Sequence, residues 1–352
     1  MSNDTLINDI RLIKDFKKIS FSGYEKGLVI KKLTSSILSS QLEESCNWSA
    51  ELVCAGHFKD LWEIIIMYMS KYIHIGSPKL PIYIAMRIDN FKKIVKNGYQ
   101  DNELDLRNNK NIRHLFGEII IVLCYSLKKH SINLIKIDKE SDFLLNNMKC
   151  KFKAPNIKFL DNIFKEGDPQ ELFIGLNELA YHLKEKNSYN CSYWVEWIIE
   201  FDLLCKKNKK PCDCERRGWV QVDSQFQKDS IWIVWQIIKR EAENKSEIIK
   251  KTIKSLLDIY SLRFTTGIKK RRKYIIYNAI NILCENINEK VSVISDTKKL
   301  NSILEKVDLI YKEVKKNEKK PATDYLFNIP NQSNIEKTRE KLEIMNNIFD
   351  IK

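Results

Sequence analysis

The 352-residue chain carries 60 Lys and Arg residues against 46 Asp and Glu residues, a formal net charge of +14. It contains only 10 glycines and 7 prolines, where average usage predicts about 25 and about 18. β-Sandwiches, barrels and glycine-loop nucleotide folds need many turn residues, so this shortage favours long helices joined by few, short connections. A hydrophobic content of 43% suffices for a sizeable core and excludes a disordered chain.

Targeting features predict an intracellular protein. Residues 1–5 lack the apolar segment of a signal peptide. The longest apolar stretch, residues 61–69, is interrupted by Glu63 and is far shorter than the roughly 20 residues of a membrane span. Nine scattered cysteines are typical of free thiols in a reducing compartment. We therefore expect no membrane partner and no secretion.

Helical periodicity runs through the first half of the chain. The predicted helices of this half cover residues 25–45, a stretch from about 46 onwards, 59–74, 81–95 and 111–129. A strand-like stretch, residues 132–138, follows them. A single strand has no partner with which to form a sheet, so the sequence predicts none.

The second half begins at Asp168–Glu171, where a capping acid precedes a proline at the first helical position. The predicted helices of this half cover 169–186, 191–207, 224–243, 246–262, 268–286, 297–316 and 334–349. The sequence thus predicts an all-α, multi-helix array with a C-terminal docking helix. We expect three regions, which are a helical region over 1–150, a helical region with the basic segments over 151–316, and a linker with the docking helix over 317–352.

An internal duplication is one interpretation of the tryptophan pattern. Asn47–Leu52 can be aligned with Ser192–Trp197, and an apolar helix follows each, marked by Trp62 and by Trp232. The second copy would carry residues 206–222 as an insertion. Two similar Trp-marked halves would form a paired helical array.

No motif identifies an enzyme. The P-loop, H-E-x-x-H, G-x-S-x-G and G-x-G-x-x-G patterns are absent. Five histidines lie far apart, without a carboxylate or cysteine at a diagnostic spacing, and they are His57, His74, His114, His130 and His182. We predict no catalytic residue and no cofactor. A divergent enzyme whose site is assembled from distant residues stays open as an alternative.

One cysteine cluster is present, formed by Cys205, Cys212 and Cys214. Zinc sites commonly use C-x2-C pairs, and this spacing is irregular. Cys191 and His182 are the nearest candidates for a fourth ligand. The sequence favours free thiols in a basic loop over a zinc site, and no metal ligand is assigned.

The strongest feature is a basic segment over residues 263–273, and residues 261–280 contain no acid. Its six cations are Arg263, Lys269, Lys270, Arg271, Arg272 and Lys273. Apolar residues at 276, 279, 280 and 283 mark a helix. Five of the cations are then expected in its first turns, where the helix dipole opposes each by about 0.3–1 kcal/mol.

An anion would relieve this repulsion. The hydroxyls of Thr265 and Thr266, free backbone N–H groups and the basic side chains together predict a phosphate site. A solvated charge run or a nuclear-import-like stretch is the alternative.

A second basic stretch lies in the 206–222 insertion, where Trp219 could stack on an unpaired base or close its loop onto the core. Its cations are Lys206, Lys207, Lys209, Lys210, Arg216 and Arg217. We include Lys209, Lys210, Arg216 and Arg217 in the predicted nucleic-acid site.

Residues 25–90 resemble the helical collar segment that follows the ATPase module in clamp-loader-like AAA+ proteins. The resemblance rests on Lys31–Leu33, Ser35–Ile37, Leu42–Ser45, Trp48–Leu52, Gly56, Leu61–Trp62, Ser70–Ile73 and Pro78. In that family the segment oligomerises. The AAA+ module is missing here, so the resemblance implies no ATPase activity.

A larger part of the chain is similar to an uncharacterised protein family shared by nucleocytoplasmic large DNA viruses. The similar stretches are Pro78–Tyr83, Val222–Asp229, Arg263–Gly267 and Lys270–Tyr274. A composition rich in Asn, Ile and Lys suits an AT-rich viral genome. The two resemblances imply a role in genome replication, transcription or packaging, in the cytoplasmic viral factory of the host or in the virion.

Our first hypothesis is a non-enzymatic protein that binds DNA or RNA with little sequence preference, through on the order of five phosphate contacts. The alternative is a collar-like helical scaffold that holds viral replication or transcription subunits together, with its net charge matched to an acidic protein partner.

Overall fold

The computed structural model describes residues 6–100, 102–133, 135–210 and 212–320, and the prediction of an all-α, multi-helix array is confirmed there. The helices of the first half are α1 Lys26–Leu38, α2 Leu42–Cys54, α3 Phe58–Tyr68, α4 Leu80–Lys96, α5 Lys110–Tyr125 and α6 Leu145–Lys149. Those of the second half are α7 Phe173–Lys184, α8 Ser188–Lys207, α9 Ile231–Ala242, α10 Glu247–Ser261, α11 Thr266–Arg271, α12 Lys273–Cys284, α13 Thr297–Leu304 and α14 Val307–Lys315.

Several predicted helix boundaries are wrong in an informative way. The helix predicted over 25–45 ends at Leu38, and Ser40 takes a left-handed backbone conformation (φ +56°) before α2 begins. The helix predicted over 59–74 ends its α-helical part at Tyr68 and continues as a π-helical turn, Met69–Ile73. Residues 132–133 and 135–138 form neither helix nor strand. The docking helix predicted over 334–349 lies outside the described residues.

The first-half helices enclose one part of the core, and the late helices α13 and α14 pack on them. α14 lies against α2, and α13 against α5. Gly117 on α5 permits this approach, because a Cβ there would lie 3.0 Å from a methyl group of Val307. Residues 297–315, which the sequence assigns to the 151–316 region, therefore contact the first half. The three-region division itself stays a prediction.

Helix α12 lies at the centre of the second half. It packs against α7, α8, α9 and α10 and against the π-helical turn 69–73. The Trp pairs of α8 and α9 are buried around it, at Trp194, Trp197, Trp232 and Trp235. These four tryptophans are core residues, and the internal duplication stays a prediction.

Three contacts join the halves beside the basic segment. Helix α4 packs along α10, and α12 reaches α3 and the π-helical turn. Within the described ranges, no helix combines the length and hydropathy that a bilayer crossing requires.

Candidate nucleic-acid interface

The basic segment does not lie at the start of one helix. The predicted helix over 268–286 is two helices, because the chain turns at Arg272 between α11 and α12. Lys269, Lys270 and Arg271 occupy the last turn of α11, where the helix dipole favours cations. The expectation of five cations crowded at a helix N-terminus is therefore wrong, and so is the repulsion inferred from it.

Arg272 stabilises the end of a third helix. Its guanidinium Nη1 donates to the carbonyl oxygens of Ile259, Tyr260 and Leu262, at distances of 3.2, 3.1 and 2.7 Å. These carbonyls lie at and just beyond the C-terminal end of α10, where intrahelical donors run out, and only that of Ile259 also accepts from the N–H of Leu262. The other edge of the same guanidinium, formed by Nε and Nη2, pairs with the carboxylate of Glu63 on α3.

Lys269 is buried between two carboxylates. Its side chain is 1% exposed, and Nζ lies 2.7 Å from Oδ2 of Asp202 and 2.6 Å from Oδ1 of Asp229. Burial alone would lower the pKa of Lys269, but the two carboxylates outweigh burial and raise it. Burial likewise opposes ionisation of Asp202, yet Lys269 and Lys206 hold the pKa of that carboxyl below its usual value. Lys269 is therefore charged, neutralised and shielded from solvent.

Helix α8 supplies acids to the rest of the segment. Lys273 Nζ lies 2.8 Å from Oε1 of Glu196. The same oxygen also accepts a hydrogen bond from the hydroxyl of Tyr277. Lys270 Nζ lies 2.7 Å from Oε1 of Glu200, although the lysine side chain is half-exposed. The pairing partners thus come from distant parts of the sequence. Lys269, Arg272 and Lys273 stabilise the packing of the second half and do not reach solvent in this structure.

Arg263 and Arg271 have the opposite surroundings. Both are exposed, and neither has a carboxylate within ion-pair distance in the described part of the chain. Arg263 takes a left-handed backbone conformation (φ +46°) between the end of α10 and Phe264. Phe264 is buried with its ring centroid 4.7 Å from that of Trp232. This anchor fixes the turn that presents Arg263, and Thr265 follows it at the surface.

The basic residues of the 206–222 insertion likewise include both buried and exposed side chains. Arg217 is buried in a bidentate pair with Asp168, at N–O distances of 2.6 and 2.7 Å. Arg216 Nε donates to the side-chain amide oxygen of Gln227. Lys209 and Lys210 are exposed just beyond the end of α8. Of the four predicted site residues here, Arg217 is thus internal.

Trp219 lies at the surface rather than closing its loop onto the core. It is 38% exposed, and the ammonium of Lys239 lies 4.2 Å from its ring centroid. A cation already occupies a position over this ring.

The three clustered cysteines are free thiols. Burial raises the pKa of Cys212 to about 12 and that of Cys214 further still, so both are protonated at neutral pH. In the ranges described, no three His, Cys, Asp or Glu side chains are grouped so that they could hold a metal ion.

A cleft lies beside Arg263 and Arg271, and we name it the Trp62 cleft. It has a volume of about 230 Å³ and opens between α3, α4, the turn 262–265 and α11. Its apolar walls are formed by Phe58, Trp62, Ile66, Ile88, Phe91 and Ile268. Its charged lining comprises Lys59, Glu63, Lys92, Glu103, Arg263, Arg271 and Arg272. Because Glu63 pairs with Arg272, the remaining lining carries four cations and one acid.

Two shallower depressions adjoin the cleft. One lies between α4 and α10 and shares Lys92 and Arg263 with the Trp62 cleft. The other lies between α9, α10 and residues 219–221, and it shares Lys254 and Asp258 with the first. The chain of depressions connects Trp219 of the insertion to Arg263 and Arg271, while Lys209, Lys210 and Arg216 line none of the three.

The first-half contribution to this site was not predicted from the sequence. Lys59, Trp62, Glu63 and Ile66 follow the i, i+3, i+4, i+7 spacing of one helical face, and all four line the cleft. A face that mixes Lys and Glu with Trp and Ile is the available signal that a helix borders a cleft rather than the core alone. Phe91 gave no such signal, because its position depends on how α4 packs.

Comparison of the chain with protein-family models, with curated proteins and with solved structures gave no match.

Proposed function

We propose that this protein binds nucleic acid through phosphate contacts, without sequence preference, at the surface that contains the Trp62 cleft. The carrying observation is that Arg263 and Arg271 have no carboxylate partner among the residues that the structure describes. Their neighbours Lys269, Lys270, Arg272 and Lys273 all have one. Exposed guanidinium groups beside aromatic side chains suit a phosphate backbone with bases attached.

The net charge of +14 supports this proposal at longer range. A basic protein attracts any polyanion, and release of counterions then contributes most of the affinity. Thr265, exposed between the two arginines in sequence, adds a hydroxyl that can donate to a phosphate oxygen. The proposed setting, genome replication or transcription in a large DNA virus, rests on the resemblances described above.

The proposal is tested by measuring affinity for fluorescent DNA and RNA strands over a series of salt concentrations. We expect the logarithm of the affinity to fall linearly with the logarithm of the salt concentration, and strands of unrelated sequence to bind equally. Binding that does not change with salt, or no binding at low salt, would contradict the proposal.

One observation favours the alternative, a scaffold for protein assembly. Leu6, Ile10, Leu12 and Ile13 are each at least 42% exposed in one short stretch, and an exposed apolar patch often marks a protein-binding surface. Crosslinking in infected cells separates the two functions. Recovery of polypeptides without nucleic acid would favour the scaffold.

A further inference from the structure

The volume of the Trp62 cleft suits a single planar ring system. Its volume of about 230 Å³ is below the roughly 300 Å³ at which pockets for drug-sized ligands begin. A helix of a partner protein or an intact duplex is too large to enter it. Phe58 and Ile268 are buried in its walls, whereas Trp62 and Phe91 are partly exposed.

The aromatic walls are held in place by one another. The rings of Trp62 and Phe91 meet edge to face, with centroids 5.7 Å apart and an interplanar angle of 72°. Trp62 also contacts Phe116 at 5.3 Å, and Phe58 contacts Phe91 at 5.8 Å. A ligand ring that stacks here would meet rigid, preformed partners, so little conformational entropy would be lost on binding.

The indole N–H of Trp62 is a donor without an acceptor. Its Nε1 atom is buried and forms no hydrogen bond to any residue of the described chain. Because an indole nitrogen can only donate, its acceptor must come from outside the described residues, and a ligand in the cleft is one source. Carbonyl oxygens and ring nitrogens of nucleobases are such acceptors.

The charges at the cleft add a second requirement. Arg263 and Arg271 line it, and no carboxylate of the described ranges pairs with either guanidinium, so a matching ligand carries negative charge next to its planar ring. A nucleotide combines both parts. Within a duplex each base is stacked on both faces and paired, whereas in a single strand it is free to leave the stack.

We infer that the Trp62 cleft accepts one unpaired base of a single-stranded nucleic acid, with the flanking phosphates bound by Arg263 and Arg271. This inference rests on the proposed function and specifies its ligand. It predicts a preference for single strands over duplexes that phosphate contacts alone would not produce.

A direct test uses the unaltered protein and a single strand that contains 5-iodouracil, which crosslinks to a nearby aromatic residue on irradiation. We expect the crosslinked peptide to contain Trp62 or Phe91. Crosslinks confined to other residues, such as Trp219, would overturn the inference. Free thymidine monophosphate in excess shows whether a lone nucleotide suffices, and its failure to compete would identify the strand as the required ligand.

A second test separates this inference from the proposed function. Trp62→Leu removes the stacking surface and keeps an apolar side chain, so we expect about a tenfold loss of affinity for a thymidine homopolymer. Affinity for an abasic strand of equal length should not change. If both strands lose affinity equally, or neither does, the base pocket is refuted while phosphate binding stands. If the unaltered protein binds no strand, the proposed function itself fails.

Thr265→Leu serves if Trp62→Leu does not fold. Thr265 is exposed at the cleft, so a larger aliphatic side chain there narrows the opening without disturbing the core. Because the substitution also removes the Thr265 hydroxyl, we expect both strands to bind more weakly, and the homopolymer to lose more affinity than the abasic strand. Trp219→Leu is the matched control, because it removes an exposed tryptophan outside the Trp62 cleft and should leave the ratio of the two affinities as it is.

Discussion

Two groups of cations in one short segment have opposite surroundings. One group is buried and paired with carboxylates of α8, α3 and Asp229, and it comprises Lys269, Arg272 and Lys273. The other group, Arg263 and Arg271, is exposed beside the Trp62 cleft. Removing a paired, buried charge leaves its partners charged and unpaired in the core, which destabilises the fold. Removing an exposed charge changes the free energy of unfolding little. The density of basic residues in a sequence therefore does not indicate how many of them are available to a ligand.

The largest expected effect is on stability. Lys269→Met leaves Asp202 and Asp229 without their shared buried cation, and we expect the free energy of unfolding to fall by about 3–5 kcal/mol. Arg271→Met is the matched control, with an expected change within about 0.5 kcal/mol. Urea denaturation measures both. Equal losses in the two variants would refute the division of the segment into buried and exposed groups.

This division was not predictable from the sequence. The all-α fold and most helices follow from hydrophobic periodicity and the shortage of Gly and Pro. The break at Arg272 does not, because the residue after it resumes a good helical pattern and the turn depends on carbonyls of α10. The carboxylate partners also escape local analysis. In the sequence, Glu63 is 209 positions from Arg272, Glu196 is 77 from Lys273 and Asp202 is 67 from Lys269, so no local spacing connects the partners.

The residues of the candidate site were likewise only partly predictable from the sequence. Arg263, Thr265 and Arg271 were predicted from the acid-free window, and the structure brings them to one cleft. Trp62 and Phe91 come from α3 and α4, whose approach to α11 is set by tertiary packing. Lys209 and Lys210 were predicted from charge density alone and lie apart from the cleft. The sequence thus indicates individual cations, and packing determines which aromatic residues accompany them.

A smaller effect is expected on the pH dependence of stability. Interactions with Lys269 and Lys206 lower the pKa of Asp202, and Arg217 lowers that of Asp168, in both cases against burial. A carboxyl whose pKa is lower in the folded state contributes stability at pH values above its usual pKa of 3.8. This contribution is lost as the pH falls through the lowered pKa. We therefore expect stability to drop below about pH 4.

Lys269→Met sharpens this prediction. Without its cation, Asp202 loses the main interaction that lowers its pKa, so the variant should lose less stability between pH 5 and pH 2, at about 1.4 kcal/mol for each unit of pKa shift removed. Urea midpoints measured across that range give the slope. A variant that loses stability as steeply as the unaltered protein would contradict the assignment of Asp202.

The central claim is that Arg263 and Arg271 bind phosphates, and the salt dependence of binding tests it most directly. For the double variant R263S/R271S, we expect the slope of log affinity against log salt to decrease by about 1.4 on a single strand, since each phosphate contact contributes about 0.7. The control K31S/K32S removes the same charge from two exposed lysines of α1, and its slope should stay unchanged. Equal slopes in the two double variants would contradict the account.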